Sequence, residues 1–208
     1  MRLIDISRPL SAQTPVWPGD RSVKLSWTQS LASGDNVNVG AIETSLHAGT
    51  HADAPLHFDP NGDSIEQVPL QAYFGPASVI DVEEADAIHV DILEAVNVPI
   101  TPRLLFRSPC STLPPSAWPT SYPAVAPDAV AWLAAHDVVL IGTDAPSVDP
   151  QDSEDLPAHH ALHDRKIAIL EHLDLSAVTP GTYQLIAFPL RIDGMDASPV
   201  RAVLVDAL

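Results

Sequence analysis

Residues 47–57 read HAGTHADAPLH, placing three histidines and an aspartate within eleven positions. The ligand-type side chains His47, His51, Asp53 and His57 all stand at odd positions, so an uninterrupted strand would turn every one of them to the same side. A straight strand would also hold His47 and His51 about 13 Å apart, at ~3.3 Å per residue. Two nitrogens each about 2.0–2.1 Å from one zinc ion must instead approach within roughly 4 Å. The chain therefore has to bend between them. Gly49 supplies the backbone freedom for that bend, and Pro55 discourages a helix through Ala54. The stretch predicts a strand that ends near Leu46 and folds over into a loop whose side chains converge. Two neutral imidazoles and a carboxylate suit zinc, manganese or iron(II) and leave coordination positions open, which points to catalysis more than to scaffolding. An ordinary polar loop has no reason to carry H-x3-H-x-D-x3-H about a glycine.

Outward from this stretch, short apolar runs alternate with Pro, Gly and Asp. Strand signals fall at 3–7, 23–27, 37–46, 77–82, 103–107, 138–142, 166–170, 183–190 and 200–206, several of them apolar enough for burial on both faces. Helices are predicted only at 90–96 and 127–136, the second opened by Pro127 and Asp128, with a brief turn about 157–164. The pattern is that of an α/β protein dominated by sheet, and 208 residues form one domain spanning 1–208. Six of the 21 prolines lie between Pro109 and Pro127, in a segment without helical or strand period. That segment reads as a long ordered loop or a lid.

Composition narrows the partners. The chain is 46% apolar with a formal net charge of −17, and its two lysines and eight arginines form no basic run, so nucleic acid and anionic membranes are poor partners. A single cysteine, Cys110, excludes an intramolecular disulfide and a Cys-rich zinc site and suits a reducing cytoplasm. The first residues, MRLIDISRPL, lack the apolar run of a signal peptide, and no segment approaches the roughly 18–20 apolar residues of a membrane span. No G-x-S-x-G elbow occurs, and Cys110 has no recognisable base beside it, which argues against a serine or cysteine nucleophile.

The stretch LHAGTHADAPLHF (46–58) resembles the signature of the cyclase-like metal-dependent hydrolase family. Similarity to that family's bacterial kynurenine formamidase branch runs the length of the chain, from IDISRPLSAQTPVWPGD (4–20) to APSVDPQDSEDLPAHHALHDRKIAILEHLDL (145–175). The resemblance implies a swivelling β/β/α fold, a homodimer, and two Zn2+ ions per subunit, with Mn2+ or another divalent metal in their place as a variant. By the same resemblance His47, His51 and Asp53 are ligands of a first ion, Asp53 bridges to a second, and Glu171 is a carboxylate shared by both. His159 supplies the second ion's histidine, with adjacent His160 the alternative register. His57 matches the proton donor and acceptor, and Trp17 the aromatic residue that touches substrate. The implied reaction is hydrolysis of N-formyl-L-kynurenine to L-kynurenine and formate. A related ring-opening hydrolase of the isatin type and a non-catalytic metal-binding protein on the same fold are the alternatives. Glu171 also stands out by itself: along IAILE it shares a face with Ile167 and Ile169, and a carboxylate ending an apolar strand needs a partner.

Overall fold

The computed structural model describes residues 1–82 and 86–206. In chain order its elements are β1 (Arg2–Asp5), β2 (Lys24–Gln29), β3 (Val39–Glu43), β4 (His51–Asp53), β5 (Phe74–Asp81), β6 (Ala87–Ile88), α1 (Val90–Ala95), β7 (Arg103–Arg107), β8 (Ala124–Val125), α2 (Pro127–Ala135), β9 (Leu140–Thr143), α3 (Pro157–Asp164), β10 (Ala168–Glu171), β11 (Gly181–Ile186), β12 (Ala197–Pro199) and β13 (Val203–Asp206). Nine strands form one sheet in the order β1-β13-β11-β5-β7-β9-β10-β4-β12. Its centre, β5-β7-β9-β10, is parallel, and both flanks are antiparallel. The central strands are the ones that read as unbroken apolar runs, because both of their faces are covered. On one face α1, α2 and α3 set Leu93, Val130, Leu133 and Leu162 against Ile80, Leu104, Phe106, Ile141 and Ile169.

The other face holds Leu105, Leu140 and Leu170 together with Ile4, Ala52, Leu185 and Leu204. Side chains from both ends of the sheet meet in that cluster, so the sheet curls around it. Backbone bonds close the curl: Ser7 bridges Leu173, the Asp174 amide donates to the Ile6 carbonyl at 2.9 Å, and the Val200 amide donates to the Thr50 carbonyl at 3.0 Å. Among the described residues no helix is long and apolar enough to cross a membrane.

Two local expectations change. The strand predicted to run to Leu46 stops at Glu43, and residues 51–53, expected in a loop, are a strand paired on both sides. The bend between them is at Gly49, whose φ of +67° is costly for any other residue and whose missing side chain leaves room for Leu10. Residues 157–164, read as a brief turn, form an α-helix that starts at Pro157 and buries Ala158, His159 and Leu162, at i, i+1 and i+4, on its sheet side. The proline-rich segment contains a helical turn at Pro109–Thr112 and ends in β8, where the Val125 amide donates to the Val148 carbonyl at 2.8 Å. Outside the main sheet, β2 and β3 form an antiparallel hairpin with every strand residue exposed, Leu25, Trp27, Val39 and Ile42 among them.

Candidate metal centre

The short strand β4 lies between β10 and β12, with Glu171 opposite His51 and Ile169 opposite Asp53. His51 and Asp53 therefore leave β4 on one face, and Ala52 enters the core on the other. The bend at Gly49 returns His47 to the same space. Asp53 stands at its centre. Its Oδ1 lies 3.2 Å from His47 Nδ1 and 3.3 Å from His51 Nε2, while Oδ2 lies 3.4 Å from His159 Nε2. Glu171 spans the same gap from the neighbouring strand, with Oε2 3.4 Å from His51 Nε2 and Oε1 3.6 Å from His159 Nε2. Its Oε1 also accepts the Val148 amide at 2.9 Å, which fixes the carboxylate.

Each of the three inner histidines is held from behind. The outer nitrogen of His51, Nδ1, lies 2.9 Å from the Gly49 carbonyl; that of His159, Nδ1, 2.7 Å from Asp149 Oδ2; and that of His47, Nε2, 3.0 Å from Asp196 Oδ2. An outer N–H donated to such an acceptor leaves the inner nitrogen with its lone pair facing the cluster, the arrangement that metal-ligating imidazoles need. Asp149 also secures α3, because its oxygens accept the amides of Ala158 and His159 and so tie down the first turn of that helix.

The cluster fits divalent metal binding. His51 Nε2, His159 Nε2 and both carboxylate oxygens of Asp53 are buried without a hydrogen-bond partner, which costs free energy unless a cation satisfies them. Ligand atoms of His47, His51 and Asp53 lie within 4.8 Å of one another, and so do those of Asp53, His57 and His159 and those of His47, His57 and Asp196 at the rim. The two buried groups share Asp53, and His57 joins only from the rim. Asp53 and Glu171, each facing both His51 and His159, supply the negative charge that a divalent cation requires.

The carboxylates also draw protons. Burial lowers the pKa of His51, but Asp53 and Glu171 outweigh it and raise it to about 10. For His159, Asp149 and Asp53 overcome burial to give about 10, and for His47, Asp196 and Asp53 do so to give about 9. Burial opposes ionisation of Asp53, yet His159, His47 and His51 hold its carboxyl well below the usual range. Asp196 is also held well below that range, chiefly by His47 and then by His57. His172, directly after Glu171, goes the other way: burial first and His51 second lower it to about 3, so it is neutral. Protons and divalent cations therefore compete for the same lone pairs. In chelator-treated protein the raised histidines contribute stability in full below their ordinary pKa of 6.5, and that contribution is lost as pH rises through about 9 to 10. Calorimetry of chelator-treated protein should show Tm falling between pH 7 and 10, with a smaller fall in the metal-loaded protein. Parallel profiles for the two forms would contradict this account.

The structure brings His47, His51, Asp53, His159 and Glu171 into one cluster. His159 is buried, whereas His160 is exposed and faces the Phe58 ring at 5.6 Å. His57 sits at the rim, more open to solvent, its ring 4.2 Å from that of His47 and 5.9 Å from that of His159. Trp17 meets the edge of Trp118 at 5.7 Å, and Trp118, in the proline-rich segment, meets the ring of His172, the residue after Glu171, at 5.6 Å. Sequence reading did not single out Asp149, Asp196 or Trp118. Acidic residues number 27, and nothing local marks these two.

Comparison with known proteins gives a consistent picture. The Cyclase family model matches residues 4–150. A kynurenine formamidase of Salinibacter ruber is 47% identical over 209 residues, covering 100% of this chain and 99% of its own. Isatin hydrolase A from Labrenzia aggregata, solved with benzyl benzoate, superimposes with a TM-score of 0.83 at 26% identity, covering 99% of this chain and 94% of that one. A structure described as a potential metal-dependent hydrolase with cyclase activity superimposes at 0.85 with 28% identity, covering 100% and 98%.

Proposed function

Since the chain belongs to the Cyclase family, we propose that it is a metal-dependent arylformamidase that converts N-formyl-L-kynurenine and water into L-kynurenine and formate. The observation that carries this reading is the division of the site about Asp53, whose two oxygens face separate imidazole groups. In this reading His47, His51 and Asp53 would hold one Zn2+, His159 would hold a second, and Asp53 and Glu171 would serve both, with Mn2+ able to stand in. When bound, such ions acidify water and stabilise negative charge on the formyl oxygen.

The protein's own groups do the rest. His57, at the rim, takes a proton from the attacking water and delivers it to the aniline nitrogen as the C–N bond breaks. Without that proton the leaving group would depart as an anilide, so the transfer contributes about 10²- to 10⁴-fold. Trp17 and Trp118, edge to face beside His172, offer an apolar wall for the aromatic ring of the substrate. The decisive experiment is to incubate zinc-loaded protein with N-formyl-L-kynurenine and follow kynurenine absorbance. A protein with its metal fully loaded that forms no kynurenine at any pH would refute the assignment.

The same reading includes a cytoplasmic homodimer. The free, buried Cys110 supports a reducing compartment. Support for the dimer comes from the β2–β3 hairpin, since an isolated two-stranded hairpin is marginal in water and this one exposes Leu25, Trp27 and Ile42. Light scattering at micromolar concentration should give twice the 22.2 kDa chain mass, and Trp27→Asp should return the single-chain value. A wild-type mass of one chain would count against the dimer.

A further inference from the structure

We infer that Asp196 is the positioning residue of the acid–base histidine, holding His57 with Nδ1 turned to the carboxylate and Nε2 free for substrate. The inference rests on the arylformamidase reading and deepens it. One oxygen of Asp196, Oδ2, faces both His47 Nε2 at 3.0 Å and His57 Nδ1 at 3.5 Å. The second distance is at the outer edge of a hydrogen bond, as catalytic contacts often are before substrate closes the site. The two rings lie against each other, with centroids 4.2 Å apart and planes inclined by 39°, so one side of His57 is packed on His47.

Asp196 is itself fixed by the strand that carries the central ligand. Its carbonyl accepts the Ala54 amide at 2.9 Å, and the next residue, Ala197, stands opposite Asp53 in the β12–β4 pairing. His57, by contrast, ends the short helical turn Pro55–His57, whose geometry alone does not orient the ring. A neutral imidazole has one donor and one acceptor nitrogen. A carboxylate that takes the Nδ1–H leaves the lone pair at Nε2, and it steadies the imidazolium that exists between the two proton transfers. By sharing one oxygen, Asp196 also keeps His57 in register with His47.

The test uses the zinc-loaded full-length chain with Asp196→Asn, His57→Ala and the double variant. Because Asp196 also backs His47, the Asp196→Asn protein is assayed with zinc in excess and its full occupancy checked by mass spectrometry; at that occupancy its kcat on an aryl formamide should fall roughly 10- to 100-fold, with KM changed less. The double variant should be no slower than His57→Ala alone, since a residue acting through another adds nothing once that residue is gone. Nitrogen-15 spectra should show His57 as the Nδ1–H tautomer in wild type and as a mixture in Asp196→Asn. Two results would each overturn the inference: kinetic losses that add in the double variant at full metal occupancy, or an unchanged His57 tautomer. If wild type hydrolysed no aryl formamide, the functional reading would fall, and the spectra would still decide the role of Asp196.

Discussion

Zinc-loaded Asp53→Asn protein, freed of loose metal by desalting, is expected to retain fewer than one ion per chain and to lose activity by about 10³-fold or more, beyond the 10²- to 10³-fold typical of losing one stabilising donor. The size of the effect follows from geometry. Both oxygens of Asp53 are buried without hydrogen-bond partners, and they face His47 and His51 on one side and His159 on the other. Replacing one oxygen by an amide nitrogen puts a donor where a cation or a histidine N–H belongs, and removes the charge that both groups share. Asparagine keeps the shape, and the β4 pairings to β10 and β12 are made by backbone, so the fold should survive. Circular dichroism like that of wild type, together with two retained ions, would show that Asp53 is not the shared ligand.

For His57→Ala the expected pattern is the reverse: metal content nearly intact, kcat lower by about 10²- to 10⁴-fold. His57 is at the rim, and its loss leaves the His47–His51–Asp53 group whole. His51→Ala, which removes a fully buried nitrogen from the centre, should instead strip metal. A formanilide with an electron-withdrawing ring substituent has a better leaving group that needs less protonation, and it should recover part of the lost rate in His57→Ala. Because His57 also comes within ligand range of Asp53 and His159, metal measurement is the decisive arm. Should the His57 variant lose metal as readily as the His51 variant, His57 would be a ligand and the division of labour would be wrong.

Several residues of the candidate site were legible where chemistry is written in local spacing. His47, His51 and Asp53 share odd positions about a glycine that must bend, and Gly49 does take a positive φ there. Glu171 was visible as a charge at the end of an apolar strand, and β10 does end on it. The status of residues 51–53 as a strand was not legible, since three residues between Gly49 and Pro55 carry no periodicity and their partners lie far downstream. Helix α3 was underread for a similar reason. Its start is secured by Asp149, across a loop, rather than by a capping residue next to Pro157. Asp149 and Asp196 have meaning only through what the folded chain sets behind an imidazole, and a sequence with 27 acidic residues does not reveal that.

The placement of β4 between β10 and β12 governs the order in which the protein can be made. The motif at 47–57 leaves the ribosome early, yet one of its neighbours is residues 168–171 and the other residues 197–199. Until the chain is nearly finished, its histidines have no carboxylate wall opposite them. Such non-local closure is slow compared with helix formation, so the growing chain must keep an imidazole-rich segment available while most of the sheet assembles around the gap. Loss of the last dozen or so residues, which carry none of the proposed ligands, would therefore leave the centre without one side and the nascent protein unable to retain its cations.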